Sequence, residues 1–179
     1  VPPAHCPTRI RVGLLGHGRA GQAVAQALMA DELIDLRWVA RRHLPPDSLD
    51  HLPGTQVPVI ATGGAPLDGL IERHPIDALV DFSSAESAAG YLGAVRRHRL
   101  MLVSAISSHT PAQLAAIRSL ADACRVMCSP NITVGINFLI LAARLLRKIA
   151  PFADVEIVEQ HFREKPEVSG TARKIAQTI

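Results

Sequence analysis

A stretch near the end of the chain concentrates side chains that can move protons and hold anions. It reads EQHFREKPEVSGTARKIAQ and covers residues 159–177. His161 and Lys165 are residue types that donate protons well when their pKa lies near neutrality. The step Ser169–Thr171 precedes a helical segment, whose first N–H groups and positive dipole end favour a carboxylate. Two interpretations stay open: a charged surface loop with a capped helix start, or half of an active site.

A glycine-rich turn follows the first apolar run of the chain. The segment GHGRAG matches the pattern G-x-G-x-x-G and consists of Gly16, His17, Gly18, Arg19, Ala20 and Gly21. Glycines permit a tight turn, and the helix after it offers N–H groups to a pyrophosphate. A strand before the turn, a helix after it and a second strand about 20 residues further on strengthen the match. We therefore predict a dinucleotide-binding turn, the alternative being a glycine-rich structural turn.

Two arginines follow the second apolar run. A dinucleotide fold that prefers NAD usually carries Asp or Glu at this point, where the carboxylate binds the ribose 2′-OH. This chain has Ala40, Arg41 and Arg42 instead. A guanidinium holds a phosphate through paired hydrogen bonds. We predict that Arg41 and Arg42 bind a 2′-phosphate and that NADPH is preferred to NADH; the alternative is that both are merely solvated.

Apolar runs of strand length alternate with segments of helical period from residue 10 to about residue 128. The predicted strands are residues 10–15, 33–40, 57–61, 77–82, 100–105 and 125–128. The predicted helices are residues 19–30, 66–74, 86–98 and 111–123, the last with Thr110 before Pro111 as its start signal. Continuous apolar strands separated by helices predict an α/β fold, a Rossmann-type parallel sheet with helices on both faces.

The pattern changes near residue 130. A long apolar helix is predicted over residues 134–149, followed by a strand over residues 154–161. We place a domain boundary here, with a dinucleotide-binding domain at residues 1–130 and the start of a second, incomplete α/β domain at residues 131–179.

Composition argues against several other classes of protein. The 179 residues are 48% hydrophobic and 20% charged, with a net charge of +3, which is ordinary for a soluble globular protein. Aromatic residues make up 3%, too few for the stacking platforms of single-stranded nucleic-acid binders. Three cysteines without a C-x-x-C spacing argue against a disulfide framework and a zinc site. From this cysteine pattern we expect no metal. No apolar run is long enough to span a bilayer, and we expect a cytoplasmic protein.

Three further segments resemble one known family. VDFSSAES at residues 80–87 is similar to the end of the strand that follows the first Rossmann half in dihydrodipicolinate reductases. SPNITVGIN at residues 129–137 resembles the linker of that family into a long helix. EQHFREKPEVSGTA resembles the family signature E-x-H-H-x-x-K-x-D-x-P-S-G-T-A. The resemblance covers the chain from about residue 10 to its end.

The resemblance implies an enzyme of lysine and diaminopimelate biosynthesis. Such enzymes use NADPH or NADH to reduce a cyclic imine dicarboxylate to tetrahydrodipicolinate, and their C-terminal domain carries the substrate site and builds a homotetramer. It implies that His161 is the acid and Lys165 the second, proton-donating cation. The substrate-binding residues it implies are Phe162, Ser169, Gly170 and Thr171. The further cofactor-binding residues it implies are Ser83, Ser104, Ala105, Ile106, Ser129, Pro130, Asn131 and Ile132.

The chain departs from the family at two motifs that the resemblance places in the active site. The family's G-T-T-G loop is replaced by SAIS at residues 104–107, and Phe162 replaces the second His of the signature. Three hypotheses stay open: the family's own reaction, a related reductase for a different imine or carbonyl, and an inactive paralogue that binds the dinucleotide.

Overall fold

The computed structural model describes residues 9–44, 50–129, 131–158, 172 and 175–178. The predicted site residues Pro130, His161, Phe162, Lys165, and Ser169 to Thr171 lie outside the described residues, so their roles stay predictions. The chain folds into two compact units, residues 1–128 and residues 129–179. The predicted division into a dinucleotide-binding and a second domain stays a prediction.

The first unit alternates strands and helices. Its strands are β1 (Ile10–Leu15), β2 (Ile34–Arg41), β3 (Val59–Ala61), β4 (Ala78–Asp81), β5 (Met101–Ser104) and β6 (Val126–Cys128). Its α-helices are α1 (Arg19–Ala30), α2 (Asp68–Arg73), α3 (Ala88–Arg97) and α4 (Pro111–Ser119). Single 3-10 turns precede α3 and follow α4. Each predicted strand and helix of this unit is present, mostly shortened by one to three residues at its ends.

All six strands are parallel and lie in the order β3-β2-β1-β4-β5-β6. The chain therefore winds outward from β1 in one direction, then crosses to β4 and winds outward in the other. Loops at the carboxyl ends of β1 and β4 diverge at this reversal and leave a crevice, which is where open α/β sheets bind ligands. The α/β fold class predicted from the sequence is confirmed.

Each face of the sheet carries its own apolar core. One cluster includes Leu70, Tyr91, Val95 and Ile117 from α2, α3 and α4. The other includes Ala25 of α1 with partly buried Val24 and Leu28 around it, packed on strand residues. Because both faces are covered, the central strands are buried on both sides, as their continuous apolar sequences predict.

The second unit contains α5 (Val134–Ile149), whose bounds match the predicted helix. The strand predicted over residues 154–161 is wrong for residues 154–158, which have no regular secondary structure, and residues 159–161 lie outside the described residues. A strand needs a partner, and no described strand pairs with this segment. No helix in the described part of the chain is long and apolar enough to cross a membrane.

Candidate functional site

The glycine turn joins β1 to α1 at the reversal of strand order. Gly16 has φ +97, and a Cβ there would lie 2.4 Å from the carbonyl oxygen of Phe82. A Cβ on Gly21 would lie 2.2 Å from the carbonyl oxygen of Gly16. Packing thus requires both glycines. A Cβ on Gly18 would meet nothing within 4 Å, so packing does not explain this glycine, whereas a ligand that approaches the backbone would.

The N-terminus of α1 is suited to an anion. Gly18 is its N-cap, no side chain caps it, and no acidic residue lies in its first turn. The positive end of the helix dipole is therefore not compensated by a side chain of the helix itself. Burial and the charge of Arg41 lower the pKa of His17, so this imidazole stays neutral at physiological pH. The turn fits the pyrophosphate of a dinucleotide.

The two arginines lie beside this turn at the end of β2. The carbonyl of Arg41 accepts from the N–H of Thr62 at 2.9 Å, and that of Arg42 from the N–H of Gly63 at 2.9 Å. These bonds fix the backbone of both arginines against the segment after β3. Both arginines line a cleft together with Thr62, Gly64, Ser83 and Glu86. A phosphate bound in this cleft would lie beside guanidinium groups of the opposite charge.

On the other side of the crevice, the ends of β4 and β5 carry buried polar groups. Asp81, Ser104 and Cys128 end β4, β5 and β6 and are register neighbours. Asp81 is fully buried, and its carboxylate accepts from the Ser83 N–H at 3.0 Å and from the Ser83 hydroxyl at 2.5 Å. Burial raises the pKa of Asp81 even though the Ser83 hydrogen bonds oppose it. The carboxylate thereby holds the loop that carries Ser83.

Tyr91 and His109 complete this group, which we call the polar row: Asp81, Tyr91, Ser104 and His109. The Ser104 hydroxyl lies 2.9 Å from Nε2 of His109, which pins the loop between β5 and α4. Burial, and then the charge of Asp81, raise the pKa of Tyr91, and its hydroxyl lies beside Asp81 and Ser104 without a well-formed hydrogen bond. Among the described residues, the buried atoms left without a partner here are Asp81 Oδ2, Tyr91 Oη and His109 Nδ1.

The structure brings most of the predicted cofactor residues to one edge of the sheet. These residues lie at or directly after the carboxyl ends of strands: residues 16–21, Arg41, Arg42, Ser83 and residues 104–106. Ser104 and Ile106 are buried, so neither presents its side chain to a ligand, although the N–H of Ala105 is fixed by the carbonyl of Asp81 at 3.0 Å. Their binding roles stay predictions.

Ser129, Asn131 and Ile132 belong to the second unit. There the Ser129 hydroxyl donates to the carbonyl of Asn131 at 3.0 Å, and the Asn137 amide donates to the same carbonyl at 2.9 Å. These bonds fold the segment into a compact start for α5. Its part in a cofactor site stays a prediction.

Sequence reasoning missed three residues of the polar row. Asp81 stands in the VDFSS segment, and a carboxylate inside an apolar strand is a signal that could have indicated it. Tyr91 and His109 gave no such signal, because their meeting with Asp81 and Ser104 depends on how α3 and the loop before α4 pack.

The fold and the turn define a class of protein. A parallel sheet of this order, with an open glycine turn at the first strand-to-helix junction, is a Rossmann-type dinucleotide-binding domain. The model of the family "Dihydrodipicolinate reductase, N-terminus" matches residues 10–132. The chain belongs to the dihydrodipicolinate reductase family, whose N-terminal domain is the NAD(P)-binding one.

Individual relatives agree with this assignment. A 4-hydroxy-tetrahydrodipicolinate reductase of Myxococcus xanthus is 33% identical over 124 residues, which are 68% of this chain and 46% of the relative. One of Methylococcus capsulatus is 30% identical across 95% of this chain and 64% of the relative. The solved structure of a dipicolinate-bound dihydrodipicolinate reductase from Paenisporosarcina sp. TG-14 has a TM-score of 0.71 and 28% identity. It covers 96% of this chain and 65% of that one. The chain thus spans about half to two thirds of the length of these proteins.

Proposed function

We propose that this protein reduces a cyclic imine dicarboxylate, dihydrodipicolinate, to tetrahydrodipicolinate in lysine and diaminopimelate biosynthesis. NADPH is the preferred reductant and NADH the second. The observation that carries the proposal is the glycine turn, with Gly18 open to a ligand and two arginines beside it, in a chain of this family. The residues present fit the cofactor, since the pyrophosphate has an uncapped helix N-terminus and the 2′-phosphate two guanidinium groups.

The cofactor supplies a hydride to the conjugated imine. The chain itself has to hold the dicarboxylate and deliver a proton to the charge that develops. In our proposal His161 and Lys165 donate the proton that neutralises this charge. The N–H groups and hydroxyls of Ser169–Thr171 hold a carboxylate of the substrate beside Phe162. The polar row keeps the loops after β4 and β5 in place at the crevice.

A second candidate is a reductase of the same family that acts on a different imine or carbonyl substrate. It is favoured by the SAIS loop, where Ile106 is buried and the Ser104 hydroxyl is taken by His109. This loop offers mainly backbone groups to whatever lies beside the nicotinamide. A substrate with fewer polar groups at that point would fit it better than a dicarboxylate.

One assay tests the proposal. The product of dihydrodipicolinate synthase is supplied with NADPH, and the loss of nicotinamide absorbance is followed. We expect turnover that falls at least about 100-fold in His161→Ala and in Lys165→Ala, while His51→Ala and Lys148→Ala keep it as matched controls. NADPH binding without turnover on this substrate would favour the second candidate, and a panel of cyclic imines would then identify the substrate.

The assembly and location of the protein are also proposals. We propose a homotetramer in the cytoplasm, supported by the family assignment. Sedimentation velocity on the full-length protein tests the assembly, and a monomer at micromolar concentration would contradict it.

A further inference from the structure

The cleft beside the arginines has an acidic wall. Arg41 and Arg42 line it from the end of β2, and Glu86 lines it from the short 3-10 turn Ala85–Ser87 after β4. Since β2 and β4 are separated in the sheet only by β1, the carboxylate faces the same space as the guanidinium groups. The arginines alone predict a preference for NADPH, and Glu86 adds a charge of the opposite sign to the same cleft.

Glu86 is ionised at neutral pH and is exposed to solvent. The Ser84 side chain beside it, and then the charge of Arg42, lower the pKa of its carboxyl. Within the described residues, no ion pair or side-chain hydrogen bond joins Glu86 to Arg41 or Arg42. Glu86 therefore does not hold either guanidinium in place, and its influence on them acts through space.

We propose that Glu86 is a residue that sets cofactor specificity, because its charge weakens the binding of the 2′-phosphate and keeps NADH usable. The inference rests on the proposed binding of the dinucleotide in this cleft. A phosphate held by the two arginines lies within the field of the Glu86 carboxylate and is repelled by it. A cofactor with a 2′-hydroxyl carries no charge there and is not repelled. Glu86 thus opposes the arginines in the choice between the two cofactors.

The sign of the effect is definite. Neutralising Glu86 should tighten the binding of NADPH and leave that of NADH nearly unchanged. For an exposed pair of charges we expect about a threefold to fivefold change. It should shrink in high salt, because the Debye length falls from about 10 Å at 0.1 M to about 3 Å at 1 M.

The experiment compares dissociation constants of NADPH and NADH for the wild-type protein and Glu86→Gln by isothermal titration at 0.05 M and 0.5 M salt. Glu72→Gln is the matched control, because it removes the same charge from an exposed position on α2 that does not line the cleft. We expect Glu86→Gln to raise the NADPH-to-NADH affinity ratio at low salt, and Glu72→Gln to leave it unchanged.

The other outcomes are decisive as well. An unchanged ratio in Glu86→Gln, or an equal change for both cofactors, would overturn the proposal while the dinucleotide site stands. Weaker NADPH binding in Glu86→Gln would overturn it too and show instead that the carboxylate positions Arg42. If the wild-type protein binds neither cofactor, both this inference and the proposed function fail.

Discussion

The two sides of the crevice present opposite kinds of polar group. At the cleft beside the glycine turn, Arg42 from the end of β2 and Glu86 from the turn after β4 are exposed, and in our proposal they act on a ligand through charge. On the β4–β5 side, Asp81 and Ser104 are fully buried and act on the loops around them through hydrogen bonds. Exposed charges are solvated with or without a ligand, so changing them alters binding and barely alters folding. Buried polar groups depend on their partners, so changing them alters stability and its dependence on pH.

The glycine turn, which lies between the two sides, should show the largest effect. Gly16→Ala places a Cβ against the Phe82 carbonyl at φ +97, and we expect it to lower the free energy of unfolding by about 2–4 kcal/mol. Gly18→Ala is the matched control for the fold, with an expected loss of less than about 1 kcal/mol at an N-cap. Urea denaturation measures both. Equal stability losses in the two variants would contradict the inference that packing requires Gly16 and does not require Gly18.

Binding should separate the same pair of variants. In our proposal the pyrophosphate lies against the Gly18 backbone and a Cβ would occupy its space, so we expect the NADPH affinity of Gly18→Ala to fall about tenfold or more. A Gly18→Ala protein that binds NADPH like the wild type would show that the ligand does not approach the backbone here.

The arginine side should change in selectivity without a change in stability. We expect Arg41→Ala combined with Arg42→Ala to lower kcat/KM with NADPH by about tenfold to a hundredfold and to leave kcat/KM with NADH within about twofold, since only one cofactor carries the phosphate. The thermal midpoint should stay within a few degrees. An equal loss with both cofactors would place the arginines elsewhere on the ligand.

The buried side should change in its response to pH. Burial raises the pKa of Asp81 in the folded protein above its value in the unfolded chain. The stability that the protonated group allows is therefore fully present below the unfolded pKa and is lost as the pH rises through the folded pKa. Asp81→Asn removes this titration, so the stability of the wild type relative to the variant should fall as the pH rises through the folded pKa.

Denaturation midpoints of both proteins between pH 4.5 and 8, taken in steps of about 0.5, measure this difference. Asp122→Asn is the control, because Asp122 is an exposed carboxylate on the same unit. If the wild type instead became more stable relative to Asp81→Asn as the pH rises, the sign would be reversed and the burial argument contradicted.

The smallest effect is expected far from the crevice. Arg11 and Asp77 form an exposed pair, 2.6 Å between Nη2 and Oδ1, and the hydrogen bond from Arg11 lowers the pKa of Asp77. This stability is present above the unfolded pKa and is lost as the pH falls through the folded pKa, opposite to Asp81. Asp77→Asn should cost less than about 1 kcal/mol at pH 7, because both side chains are more than a third exposed. A loss of several kcal/mol would show that an exposed ion pair can contribute as much stability as a buried polar group.

Patterns that repeat along the chain predicted the fold well. The helix α1 begins and ends where its period and the glycine turn indicated, and α4 begins at Pro111 because Thr110 and Gln113 form a capping box. The strand predicted at residues 154–161 failed over residues 154–158 because its weak alternation says nothing about a partner strand.

Residues of the candidate site could be predicted from the sequence only where they belong to a local motif. Gly16 and Gly21 are needed for a turn whose motif is visible in six residues of sequence, and Arg41 and Arg42 stand at the end of a recognisable strand. The polar row depends on register between β4 and β5 and on the packing of α3, which bring Tyr91 and His109 to Asp81 and Ser104. Glu86 lines the same cleft as the arginines because β2 and β4 flank β1.

The central claim is that the dinucleotide lies across the glycine turn, with its phosphates at the turn and beside Arg41 and Arg42. Amide hydrogen exchange with and without NADPH tests this location directly, because the first N–H groups of α1 have no partners within the helix. We predict slower exchange in peptides that cover residues 16–22 and 41–44, and unchanged exchange at the opposite edge of the sheet, around residues 74–77 and 98–100. Protection at that opposite edge, or none at the glycine turn, would contradict the account.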